Sequence, residues 1–308
     1  MKLLQKKYDC LLIRILKGAF MFLTRKIGNK GLFLLFAIVF FGLIADASAN
    51  SLVAHWSLNE ADYNNGNYLD TVAGLIAQPN GVPNFITGVR DEPNGAVMIT
   101  LPTAWGLSEA FAFDVTGGFT ICLWVDWNGN WLGTTDVDDL VVESNDPETE
   151  YVVTNALNAD QGWQHVGITY DNTTVRIYLN GRLELSEAGE LPPGSETVIE
   201  IANSLREQIF NGALDDIRLY DYPLSPTEIA QLICTPEYAP IGDVSGPYGV
   251  QDCMVDLYDL AGFPEHWLEY CIPPECSYDF SGPYGLPDYT VNLYDLAEFS
   301  NHWLEIGW

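Results

Sequence analysis

The sequence predicts an all-β chain, a two-sheet antiparallel sandwich, followed by a small α-helical block made of two copies of one loop-and-helix unit. Three observations carry this. Residues 51 to 233 are a succession of short runs rich in β-branched and aromatic residues, separated by Gly, Asn, Asp or Pro. From Asp243 a block of 27 residues is written twice, 36 residues apart, with 18 of the 27 positions identical. An apolar leader precedes both.

In the leader, residues 1–49, Arg25, Lys26 and Lys30 come before "GLFLLFAIVFFGLI", and Ala47-Ser48-Ala49 supplies the small residues a signal peptidase needs. A run this short falls below the roughly 20 residues of a membrane-spanning helix. A cleaved export signal is expected, giving a secreted or cell-surface protein with no stable membrane span; a retained signal-anchor is the alternative. Met21 would open a more ordinary signal than Met1.

The 308 residues carry a net charge of −29, and removing the leader leaves five arginines, no lysine and 40 acidic residues. Such a surface excludes nucleic acid and anionic membranes as partners, because both bind through basic patches. It suits hard cations, which take carboxylate and carbonyl oxygens. Nine Trp, 16 Tyr and 14 Phe argue against the disorder that acidic chains often adopt. Cys10 leaves with the leader. Cys122 lies mid-strand as a buried inert thiol, and Cys234, Cys253, Cys271 and Cys276 allow two disulfides in any of three pairings.

The strand runs are "LVAHWSL", "AVMITL", "FTICLWV", "LVVES", "WQHVGITY", "VRIYLNG", "TVIEIA" and "LDDIRLY". About ten such strands in this span exclude alternating α/β units. "DNTT" turns one hairpin, and Asn180-Gly181 fits a type I′ turn for the next. Only "SPTEIAQLI" reads as helix there, with Ser225 as cap, Pro226 at the first position and Glu228 in the first turn.

Taken in order, "LVAHWSLNE", "GGFTICLWV", "GWQHVGITYDNTTVRIYLNG" and "FNGALDDIRLYDYPLSPTEIAQL" make residues 50–233 resemble the laminin-G-like, concanavalin A-type jelly-roll domains of bacterial secreted proteins. The resemblance implies a jelly-roll sandwich and a structural calcium held by Asp70, Asp215 and Asp216. "LDD" as a plain strand edge is the alternative. The stretch between "LWV" and "GWQHV" is shorter than is common in these domains, so a hairpin there is expected to be reduced. Residues 234–242, "CTPEYAPIG", read as a linker.

In the two repeats, 243–269 and 279–305, oxygen-bearing residues keep one order: Asp243, Ser245, Asp252, Asp256, Asp259, then Asp279, Ser281, Asp288, Asn292, Asp295. A calcium loop draws its ligands from positions 1, 3, 5, 7, 9 and 12. Both repeats fit if "PYGVQ" and "PYGLP" are insertions, with position 7 giving the main-chain carbonyl of Met254 or Thr290. An acidic turn copied by duplication is the bland alternative. Leu260, Phe263 and Trp267, like Leu296, Phe299 and Trp303, recur at helical spacing. Each unit is then a loop feeding an amphipathic helix that packs on its twin, and Pro264 is expected to end or kink the first early. Small domains gain only about 3–5 kcal/mol from their cores and lean on metals or disulfides.

This arrangement resembles a pair of dockerin type I repeats, an EF-hand-like fold in which each repeat binds one Ca2+ and the pair docks on a cohesin module. The resemblance implies partner contacts through Leu257-Tyr258 and Leu293-Tyr294, at loop positions 10 and 11. The sequence departs from the pattern in the insertion and in Cys253 and Tyr289, which replace glycine at position 6.

No E-x-D-x-E run of a jelly-roll glycosidase occurs, and "DVDDL" (Asp136 to Leu140) is the nearest approach. The histidines show no metal spacing, and neither a Gly-x-Ser-x-Gly elbow, a phosphate loop nor a Cys-His pair is visible. A non-catalytic binding protein is expected, its sandwich recognising glycan or glycoprotein. Trp124, Trp127 and Trp131 are candidate ligand residues, with Trp105 and Trp163 beside them; a core role is the alternative for each. The rival functions are a purely structural adhesion protein and a divergent carbohydrate-active enzyme.

Overall fold

The computed structural model describes residues 51–79, 82–99, 105–106, 117–127, 140–143, 150–153, 156–189, 211–235, 237–272 and 276–307. The leader with Cys10 and Met21, the strand "TVIEIA", Trp131 and Asp136 to Asp139 lie outside them.

Residues 50–308 form one compact unit. Its sandwich is mostly antiparallel β, in a jelly-roll-like arrangement. The large sheet contains β1 (Leu52–Trp56), β5 (Asn84–Ile86), β6 (Ala96–Ile99), β8 (Phe119–Trp127), β11 (Trp163–Tyr170), β12 (Thr174–Leu179), β13 (Arg182–Ala188) and β14 (Gly212–Tyr220). They run in the order β13-β12-β11-β8-β14-β6-β5, with β1 also on β14. A four-stranded sheet joins β2 (Tyr63–Asn64), β3 (Asn67–Leu69), β4 (Ile76–Pro79) and β7 (Trp105–Gly106), and β9 (Leu140–Glu143) pairs with β10 (Glu150–Val153). Tyr63 and Tyr68 of the small sheet meet Phe85 of the large one, with ring centroids 5.8 and 6.3 Å apart.

Local sequence sets the geometry at two places. Asn180 and Gly181 take φ of 47° and 78°, the left-handed pair that a type I′ turn requires, and β12 returns as β13 with Leu179 opposite Arg182. In β14 the pairing changes partner. Residues 212–214 bond to β6, whereas 217–220 bond to β1, and the register on β8 shifts between Asp215 and Arg218. Asp216 sits in this bulge at φ 49°, and a bulge re-aims the side chains it carries.

The inner face of the large sheet supplies the main core, including Trp56, Val97, Leu123, Val125, Trp127 and Leu214. The outer face is covered by α1 (Pro226–Ile233), which opens on the expected Ser225–Glu228 capping box. Ile229 lies against Gly167, where an added Cβ would come within 3.2 Å of its Cδ1. Cys122 is buried on this face with Tyr178 and Ile229, and burial pushes its thiol far up, so it stays protonated.

His165 is 2% exposed and meets Trp124 edge-on at 5.1 Å. Burial pushes its pKa down to about 3, outweighing the nearby Asp216 carboxylate. The folded chain therefore keeps this imidazole neutral where the unfolded chain, with a pKa of 6.5, takes up a proton. The contribution is complete above pH 6.5 and is lost as pH falls toward the folded value. Relative to His165→Gln, the wild type should lose about 2 kcal/mol between pH 7 and pH 5. Urea unfolding of both proteins at the two pH values measures this, and a pH-independent difference would refute it.

Candidate metal centre

The two repeats fold alike. Asp256 caps α2 (Leu257–His266) and Asn292 caps α3 (Leu293–Asn301), each within a capping box closed by Asp259 or Asp295. Pro264 does not end α2, which runs two residues past it; so near the helix C-terminus the proline removes only the bond to the Leu260 carbonyl.

Hydrogen bonds around each loop match at the 36-residue offset. Asp243 accepts the N–H groups of Asp252 (3.4 Å) and Cys253 (2.8 Å), and Asp279 accepts those of Asp288 (3.0 Å) and Tyr289 (2.8 Å). Asp259 Oδ1 accepts from Val244 and Ser245, as Asp295 Oδ1 does from Phe280 and Ser281. The five extra residues form a turn of their own, with Gly249 N–H bonded to Gly246 O and Gly285 N–H to Gly282 O. The chain on either side is drawn together by the first aspartate. At position 6, Cys253 and Tyr289 keep positive φ, 58° and 66°, so the sharp turn survives the loss of glycine.

Each repeat is finished by the other. Val255 N–H bonds to Glu305 O and Leu304 N–H to Val255 O; reciprocally, Val291 N–H bonds to Glu269 O and Leu268 N–H to Val291 O. The paired bridges Met254–Ile306 and Tyr270–Thr290 obey the same offset. Val255, Phe263, Val291 and Phe299 form the shared core with Tyr278. Disulfides join Cys234 to Cys253 and Cys271 to Cys276, one beside each loop. Among the described residues, the triplets Cys234-Asp243-Cys253 and Cys271-Cys276-Asp279 are the acid–sulfur groups that close up. Their sulfurs are spent in disulfides, which leaves oxygen donors for any cation.

Electrostatically the first loop is the more loaded. Burial, and then the Asp259 charge, push Asp243 up to about 7; burial and Asp256 push Asp252 up to about 6. Asp252 Oδ2 is buried without a hydrogen-bond partner. Its ion-pair neighbour at 3.8 Å is Arg182 Nη2, which also makes a short bond to Asp256 Oδ2. In the second loop Asn292 stands in place of Asp256, and its amide donates to Thr290 O (2.7 Å) and to Asp288 Oδ1 (3.5 Å). The expected partner residues Leu257, Tyr258, Leu293 and Tyr294 are all exposed, as are Trp267 and Trp303. His266 and His302 each bond to the glutamate three residues on.

The sandwich candidates are arranged differently from expectation. Asp70 spends its carboxylate on the N–H groups of His55, Val72, Ala73 and Leu75. Burial raises its pKa, but these donors outweigh it and hold it below the usual carboxylate range. Asp216 binds His55 Nε2 at 2.6 Å and Arg218 bidentately, with Arg90 at 3.7 Å. Asp215 accepts from Val89 N–H and is pushed up to about 7 by burial and by the Asp216 and Glu92 charges. Among the described residues these three aspartates do not gather into a cation site; the β14 bulge turns two of them into a protein-satisfied network. Trp124 and Trp127 are 1% and 3% exposed, so neither offers a ring face to a sugar. Trp124 does face away from Leu123 and Val125, but Ile233 of α1 covers it, with Trp163 alongside.

Residues 103–230 match a family model, Laminin_G_3, described as the concanavalin A-like lectin/glucanases superfamily. Over that span the chain is similar to jelly-roll domains of the lectin-like class. No curated protein sequence matches it. Among solved structures, domain 4 of AbnA, a GH43 extracellular arabinanase from Geobacillus stearothermophilus in complex with arabinotriose, is 16% identical with a TM-score of 0.46, over 59% of this chain and 98% of that one. The binding domain of Paraclostridial Mosquitocidal Protein 1 is 13% identical, TM-score 0.41, over 59% of this chain and 51% of that one. The binding domain of Botulinum neurotoxin DC, in complex with rat synaptotagmin II, is 14% identical, TM-score 0.40, over 65% and 55%. The chain thus spans about half the length of these last two.

The repeats break symmetry at one complementary pair. Repeat 1 has Gly242 and Gly262 where repeat 2 has Tyr278 and Glu298. A Cβ on Gly262 would fall 1.7 Å from the Tyr278 hydroxyl, and that ring is held by His266, stacked at 4.7 Å, and Phe263. Gly262→Ala should destabilise the block by about 1–3 kcal/mol, and should cost little once Tyr278 is Ala. A double-mutant cycle followed by denaturant unfolding reads the coupling; additive effects would contradict the packing argument.

Proposed function

We propose that the protein is an exported, non-catalytic binding protein. Its jelly-roll domain recognises carbohydrate or glycoprotein, and its C-terminal block folds around two calcium ions to tether it to a partner of the cohesin kind. The observation that carries the calcium reading is the duplicated wiring of the loops, with the buried Asp252 Oδ2 left without a hydrogen bond. The donor chemistry fits: Asp243, Ser245, Asp252, Asp256 and Asp259, with the Met254 carbonyl, offer only oxygens. Asp279, Ser281, Asp288, Asn292 and Asp295, with the Thr290 carbonyl, do the same. When bound, the cation would supply positive charge to carboxylates that burial holds close together. The four exposed residues at loop positions 10 and 11 support the tether. Export is supported by the leader's composition and by the two disulfides; among the described residues no helix is long and apolar enough to cross a membrane.

One observation favours the purely structural adhesion reading for the sandwich. Among the described residues, the aromatic side chains that are well exposed, such as Tyr258, Trp267, Tyr284 and Trp303, lie beyond the sandwich. Glycan-array binding by the full chain separates the two readings, and hydrolysis of a polysaccharide panel would restore the enzymatic one.

For the block, calorimetric titration of the full chain with calcium should reveal two sites, and Asp243→Asn with Asp279→Asn should abolish both while the sandwich stays folded. No heat and an unchanged circular dichroism spectrum across millimolar calcium would sink the loop assignment.

A further inference from the structure

Among the described residues, the sandwich reaches into the first loop of the pair. At the start of β13, Arg182 puts Nη2 on Asp256 Oδ2 and 3.8 Å from Asp252 Oδ2, at loop positions 9 and 5. Its guanidinium also lies over the Tyr258 ring, 5.7 Å from the centroid, at loop position 11. The next residue, Leu183, donates its N–H to the hydroxyl of Tyr248 at 3.2 Å, which brings the insertion turn of repeat 1 onto the outer edge of β13. In repeat 2 the matching side chains are Tyr294 and Tyr284, and Tyr284 is 95% exposed. Among the described residues, Arg182 is the arginine that reaches either loop.

Charge explains which loop is held. Loop 1 has four aspartates and loop 2 has three with Asn292. The additional carboxylate, Asp256, is the one Arg182 binds, whereas loop 2 quiets Asp288 with its own Asn292 amide. A guanidinium bonded to Asp256 Oδ2 and lying 3.8 Å from Asp252 Oδ2 does not tolerate a cation between those oxygens: both are positive, and they compete for the Asp256 lone pairs.

We propose that Arg182 is a resident counter-ion of loop 1, competing with calcium for Asp252 and Asp256. Loading of loop 1 then breaks the contact with β13 and releases the Tyr258 ring from the Arg182 guanidinium, while loop 2 loads without shifting the two modules. This rests on the calcium reading above.

The test uses the full chain, with calcium alone as the probe. Calorimetry of the wild type should resolve a tighter and a weaker site, and small-angle scattering should show the radius of gyration rising as the weaker one fills. Arg182→Gln should tighten the weaker site by roughly two- to fivefold, the worth of a partly exposed ion pair. It should also be expanded before calcium is added. Arg182→Lys, which keeps the charge but loses the fork, should lie between. Two sites of unchanged affinity in Arg182→Gln, or scattering insensitive to calcium in the wild type, would overturn the competition while leaving calcium binding intact. An absence of heat in every protein would instead remove the calcium reading, and the competition with it.

Discussion

Scarcity of positive charge governs this molecule. Beyond the leader, 40 carboxylates share five arginines, and each of the four described arginines is set against aspartate. Arg90 and Arg218 converge on Asp216, Arg176 holds Asp171, and Arg182 lies across Asp252 and Asp256. Buried carboxylates without an arginine must find N–H donors or keep their protons. Asp70 takes the first course, collecting backbone N–H groups from a folded-back chain. Asp215 and Asp243 drift toward the second. The fold is thus arranged as much by where anions can be tolerated as by where apolar surface is hidden.

The same rule separates the two acidic regions. At the β14 bulge the anion is over-supplied with donors: a histidine and two arginines serve one carboxylate. That point fixes the place where one strand hands over from β6 to β1, so a rigid, saturated network suits it. In the repeats the donors are backbone amides, and they leave an oxygen of Asp252 without a bond. One region spends its charge on holding a strand crossing; the other keeps charge in reserve.

Legibility followed the range of the interactions. The Asn180-Gly181 turn, the Ser225–Glu228 box and the loop-and-helix repeat were readable because each is decided within a few residues. The 36-residue offset was readable because duplication writes it directly. The burial of Trp124 was not readable because alternation tells which face a residue points to, and not that α1, a hundred residues later, covers that face. The surroundings of the "LDD" aspartates were not readable because their partners, Val89 for Asp215 and His55 and Arg90 for Asp216, come from distant strands and turns. The pairing of four cysteines needed the folded block, and the Gly262–Tyr278 fit was hidden because it occurs where the two copies differ.

Reciprocal closure of the repeats has a consequence in time. Loop 1 is completed by Leu304 to Gly307, some fifty residues downstream, and loop 2 by Leu268 to Cys271, upstream of it. During synthesis the strand that seals loop 2 is made first and waits for its loop, whereas loop 1 is made first and waits for its seal. The earlier-made loop is therefore the later to mature, and until residue 307 has left the ribosome it lacks the segment that seals it.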